Sequence, residues 1–183
     1  MERILHKRNI DSAIKEYELS LAEIGKLDPN LIGIKLFQHL KRNTIDHGPY
    51  PHVTIFEAAN RIMTDMVILK GVKWLLDNNT FPFKKYHVEY GNEDKNAHDI
   101  MSINRKKYLI GEAFNVAQSF FQTKKNTSLK KLRNSNVTSD YKIIIANRDA
   151  IKENYVPQVI KDEYFLFVDV ESGDGRLHST ASK

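Results

Sequence analysis

Apolar residues in the N-terminal part of the chain recur at three- and four-residue intervals. Ile10, Ile14, Tyr17, Leu21 and Ile24 form one stripe, which predicts a helix over 9–24. Gly25 follows in the manner of a C-terminal cap. Asp28 and Pro29 supply an N-cap and a first-turn proline for a second helix to about residue 42, carrying Leu31, Ile34, Leu36, Phe37 and Leu40. The two helices form a hairpin, packed on the rest of the chain or used for dimerisation. A loop over 43–52 precedes Thr54 and Glu57, which have capping-box spacing. They open a third helix over 55–78. Its apolar positions from Phe56 to Leu76 cover more than one face, so it is expected to be largely buried.

Beyond residue 80 the period shortens to two. A strand over 84–90 sets His87 and Glu89 on one face and Val88 on the other. Two further apolar runs, 98–103 and 108–115, flank a basic turn over 104–107. Asp99, Met101 and Ile103 share one face of the first run; Tyr108, Ile110, Glu112 and Phe114 share one face of the second. Paired as a hairpin, the runs bring Asp99 and Glu112 to adjacent ends. Two carboxylates so placed repel unless a cation or a shared proton compensates, and hard oxygen donors suit magnesium. A lysine-rich helix is predicted over 116–133. The continuous apolar run at 141–146 reads as a strand buried on both faces. A short helix within 147–160 and a last strand over 164–170 complete the series. From 171 to 183 the only large apolar residue is Leu177, which predicts a disordered tail. The order, with a meander of three strands followed by a helical crossover, defines an α/β fold with a right-handed parallel connection.

Length and composition narrow the function. A chain of 183 residues is one domain with a small extension: a helical hairpin over 1–50, an α/β core over 51–170 and the tail over 171–183. The absence of cysteine excludes disulfides, thiolate metal sites and cysteine nucleophiles. There is no Gly-X-Ser-X-Gly elbow and no glycine-rich phosphate loop. No apolar run approaches the ~18 residues of a membrane span, and the first residues lack a signal-peptide core, so a cytoplasmic protein is expected. The net charge of +5 is unevenly spread. Between 104 and 134 stand Arg105, Lys106, Lys107, Lys124, Lys125, Lys130, Lys131 and Arg133 against Glu112 alone. Such an excess attracts polyanions and suggests a nucleic-acid backbone footprint.

The element order, with His98-Asp99-Ile100 opening one strand and Gly111-Glu112-Ala113 ending the next, resembles the PD-(D/E)XK nuclease superfamily. The likeness covers roughly 54–146. It implies a restriction-endonuclease-like mixed sheet and a magnesium- or manganese-dependent endonuclease acting on double-stranded DNA as a homodimer. By the same resemblance Asp99 and Glu112 would hold the metal, joined by the Ala113 carbonyl. Glu57, on the helix before the sheet, would contribute as a further acid. The motif lysine belongs two residues after Glu112, where this chain has Phe114. Asn115 and Gln118 are near enough in sequence to replace its hydrogen bonding. Lys124 and Lys125 could supply its charge only if their helix packs back across the site. A catalytically inactive nucleic-acid-binding protein on the same fold is the rival expectation. His87, Glu89 and His98 form an alternative metal set, because imidazoles suit zinc.

Overall fold

The computed structural model describes residues 1–22, 24, 30–91 and 97–180. Seven strands form one mixed sheet in sequential order: β1 (Ile4–His6), β2 (Lys85–Val88), β3 (Ile100–Asn104), β4 (Lys107–Phe114), β5 (Tyr141–Asn147), β6 (Glu163–Val168) and β7 (Gly175–His178). Pairing is antiparallel from β1 to β4, parallel through β4, β5 and β6, and antiparallel again at β7. The helices are α1 (Ile10–Leu21), α2 (Gly33–Arg42), α3 (Ile55–Asp77) and α4 (Gln118–Arg133).

Each face of the sheet carries its own apolar layer. On one, Leu109, Ala113, Ile143, Ile145, Leu166 and Val168 pack under α3, which contributes Val67, Ile68, Leu69, Val72 and Leu75. On the other, Ile110, Phe114, Ile144, Phe165 and Phe167 pack under α4, through Phe121, Leu129 and Leu132. The central parallel strands are therefore apolar on both sides, as a doubly covered sheet requires. Thr54 caps α3, its hydroxyl accepting the Glu57 amide at 3.2 Å.

The meander, its crossover helix and the fourth strand stand where the periodicity places them. Two strands were not legible: seven occur where five were expected. β1 is only three residues long, too short to display an alternation, yet Leu5 is fully buried. β7 overturns the expectation of disorder from 171 onward: Gly175–His178 pair with β6, and an added Cβ at Gly175 would lie 2.7 Å from the Trp74 ring. Residues 181–183 of that tail lie outside the described residues. In place of a helix over 147–160 there is a single 3-10 turn at Arg148–Ala150. The segment after it is held by Tyr155, whose ring meets Phe121 and Phe167.

The described N-terminal elements are built into the sheet and its layers. β1 is an edge of the sheet, and Ile10, Ile14 and Tyr17 of α1 belong to the layer under α3. α2 also rests on α3, but begins at Gly33 and buries none of its residues fully. The Gly25 cap and the Asp28-Pro29 helix start lie outside the described residues. Asp65, wholly buried on α3, fastens the N-terminal region. Its Oδ2 accepts the Tyr17 hydroxyl at 2.7 Å and the Tyr50 hydroxyl, and its Oδ1 accepts the Gly91 amide at 3.2 Å. Burial pushes its carboxyl up to about 6 despite these donors.

Candidate functional site

Ile100 of β3 pairs with Gly111 of β4. An added Cβ at Gly111 would lie 2.6 Å from Ile143 Cγ2, so glycine allows the close approach on the α3 side. One residue further along, Asp99 and Glu112 stand opposite each other on the α4 side, because side chains alternate along a strand. The two acids that the sequence sets at adjacent hairpin ends thus share one face of neighbouring strands.

Glu112 is 6% exposed and both of its oxygens are bonded. Oε1 lies 2.8 Å from Nδ1 of the buried His98, and Oε2 lies 2.8 Å from Nζ of Lys131. A carboxylate only accepts, so His98 donates from Nδ1. Its Nε2 lies 2.8 Å from the Ser135 hydroxyl, which also accepts the Val137 amide at 3.1 Å. Asp99 accepts the Ala113 amide at 2.8 Å through Oδ2. Its carboxyl is pushed up to about 6, first by burial and then by the charge of Glu112; the Ala113 amide, Lys131 and Lys124 pull the other way.

Glu89 is a third acid on this face. Its amide donates to the Asp99 carbonyl at 2.9 Å, one step beyond the Val88–Ile100 pair, and its side chain is 7% exposed. Glu89, Asp99 and Glu112 line one cavity of about 430 Å³. Cations face them across it: Arg61 from α3, and Lys124 and Lys131 from α4. Asn60 and Thr64 of α3 and Asn115 after β4 complete its polar wall.

The helix α4 does pack back across the site. Lys124 Nζ lies 6.0 Å from the centre of the Phe114 ring. Phe114 itself is core, 2% exposed and packed on Phe121. Lys131, ion-paired with Glu112, is a second cation over the acid pair; in the sequence it stands only as part of a basic run.

Other expected residues are placed elsewhere. Gln118 points its amide at the carbonyls of Asp149 and Ile151, each at 3.3 Å, and so fastens the segment after β5. Glu57 pairs with Arg61 at 2.6 Å one turn along α3 and does not line the cavity. Ala113 lines it, with its amide committed to Asp99. His87 lines a separate apolar cleft with Met101, Tyr108 and Val137, so the His87–Glu89–His98 set is not assembled. Among the described residues no three His, Cys, Asp or Glu side chains form a compact metal cluster.

The basic stretch is also divided. Arg105, Lys106 and Lys107 occupy the far turn of the hairpin, five residues from Asp99 along β3 and hence about 17 Å away. Lys107 bonds the Tyr141 hydroxyl at 3.3 Å. Lys125 bonds the Tyr155 hydroxyl at 3.1 Å. Arg133 grips the buried Glu163 with two bonds of 2.6 and 2.9 Å. Lys130 is exposed. Lys124 and Lys131 alone among these eight reach the cavity. The sequence pattern does not mark Arg61 or Glu89 as neighbours of the acid pair. The former lies on a helix whose pattern announces only burial, and the latter is one carboxylate on a polar strand face.

The chain matches no protein-family model, no curated protein and no solved structure. Among the described residues the fold is a mixed α/β sheet of seven strands with four helices, and no helix is long and apolar enough to cross a membrane.

Proposed function

We propose that this chain is a divalent-metal-dependent endonuclease acting on double-stranded DNA, of the restriction-endonuclease-like class. The observation that carries the reading is the facing pair Asp99 and Glu112 on one side of β3 and β4, with Lys131 and Lys124 brought over them by the crossover helix. The run α3, β2, β3, β4, α4, β5 in sequential sheet order supports it, being the arrangement the resemblance implies.

The donor set fits magnesium or manganese. Asp99 and Glu112 offer hard oxygens on one face of neighbouring strands, and Glu89 lines the same cavity. Asp99 and Glu112 are the residues that would hold the ion. Such an ion polarises a phosphate and lowers the pKa of bound water. The Ala113 amide and His98 fix the carboxylates in place, as outer partners of metal-binding side chains do. Lys131 and Lys124 offset the charge of a phosphodiester entering the cavity. Affinity for DNA should fall with salt, because lysine contacts release counterions from the backbone.

The test is incubation of supercoiled and linear DNA with magnesium or manganese against EDTA. The wild-type protein should nick or cut only with metal, and Glu112→Gln should abolish cutting while retaining DNA in gel retardation. Wild-type protein that never cuts, or a Glu112→Gln variant that cuts at the wild-type rate, overturns the proposal. One observation favours the inactive DNA-binding reading: both oxygens of Glu112 are already bonded by His98 and Lys131. Retardation by the wild-type protein without metal-dependent nicking would select it.

A further inference from the structure

We infer that Arg61 is the residue that receives a phosphate group of the nucleic acid in this cavity; the inference rests on the nucleic-acid reading above. Arg61 projects from α3 into the wall opposite the lysines of α4. Its guanidinium is held on two sides. Nη2 bonds Glu57 Oε1 at 2.6 Å, and the guanidinium carbon stands 5.4 Å from the centre of the Tyr50 ring. Tyr50 is itself anchored, its hydroxyl bonded to the buried Asp65, which also takes Tyr17 and Gly91. The chain of contacts runs from the core through Tyr50 to Arg61 and fixes the fork's orientation.

One donor of that fork is unspent. Nε is buried and has no hydrogen-bond partner among the described residues. A buried N–H without an acceptor has lost its bond to water and gained none in return. An acceptor delivered by a ligand makes good that loss. The planar fork matches the oxygens of a phosphate, to which arginine binds in a two-point manner that lysine cannot reproduce. Glu57 does not compete strongly. It is half exposed, and an exposed pair one helical turn apart is weak because water screens it. The same contact gives Glu57 a role as the orienter of Arg61. Carboxylates from the sheet and cations from both helices line the cavity, and a phosphate entering it would meet Arg61 on one wall.

The experiment measures binding of a short fluorescent DNA duplex in EDTA, across a salt series, by the full chain and by Arg61→Gln, Arg61→Lys and Glu57→Gln. Arg61→Gln should weaken binding by about tenfold or more, the loss of one charged two-point contact. It should also lower the salt slope by about one phosphate contact. Arg61→Lys should restore the slope but only part of the affinity, and Glu57→Gln should cost no more than a few-fold. Urea unfolding of each variant reports folding separately; a merely structural role would shift unfolding and leave the salt slope unchanged. Unchanged affinity and slope in Arg61→Gln overturn the inference, even if the wild-type protein cuts DNA. Weakened binding in Arg61→Gln, with a wild-type protein that never cuts, would uphold Arg61 while ending the nuclease proposal.

Discussion

Replacing Asp99 by Asn should make the metal-free protein more stable, although it removes a residue assigned to the site. The folded state raises this carboxyl from 3.8 to about 6, with burial and the neighbouring Glu112 as the main causes. Ionising it in the native state therefore costs more than ionising it in the unfolded chain. Two pH units correspond to about 3 kcal/mol as a ceiling. Asp99 is only partly buried, and water screening reduces the figure to about 1–2 kcal/mol. Asn keeps an oxygen for the Ala113 amide and drops the charge. The sign follows from the raised value. The penalty is absent below about pH 4, grows between pH 4 and 6, and is fully present above pH 6. Urea unfolding in EDTA, followed by circular dichroism, should show Asp99→Asn level with wild type near pH 4 and about 1–2 kcal/mol more stable at pH 7.5. A thermal midpoint about 2–8 °C higher at pH 7.5 is the equivalent shift for a chain of this size. A variant less stable than wild type at pH 7.5, or a difference that does not change with pH, would refute the reasoning.

Other perturbations test the frame around the site. Asp65→Ala removes the buried acceptor of two tyrosine hydroxyls and the Gly91 amide, and should cost about 3–5 kcal/mol in urea unfolding. Arg133→Ala leaves Glu163, which is 3% exposed, without its charged partner; a loss of about 3 kcal/mol or more is expected, recovered when Glu163 is also replaced by Gln. Truncation after Glu171 removes β7 and uncovers the edge of β6, so the shortened chain should lose stability and associate, seen as a lowered unfolding midpoint and a larger sedimenting species.

The parts of this architecture legible in the sequence are those with a repeating pattern. The long buried helix α3 shows its Thr54 cap and its apolar run, and the hairpin of β3 and β4 shows the period of two that puts Asp99 and Glu112 together. Ile143, Ile144 and Ile145 mark a central strand without alternation, as burial on both faces demands. β1 and β7 escaped because short edge strands need few apolar residues; Leu5 and Leu177 are their apolar contacts with the core layer under α3. The site was half legible. Its acids follow from strand register, which is local. Its cations come from elements distant in sequence, and only the packing of α4 and α3 brings Lys124, Lys131 and Arg61 over the same cavity. Nothing in the lysine run distinguishes Lys131, bonded to Glu112, from Lys125, bonded to Tyr155. Likewise the exposed appearance of Arg133 hides its bond to a buried glutamate.

The central claim is that Asp99 and Glu112 together hold a divalent ion. Calorimetric titration of manganese into the wild-type protein and into Asp99→Asn and Glu112→Gln tests it directly. The account predicts saturable binding in the wild type that is lost or strongly weakened in both variants. Absence of binding in the wild type, or binding that survives both substitutions unchanged, would contradict it.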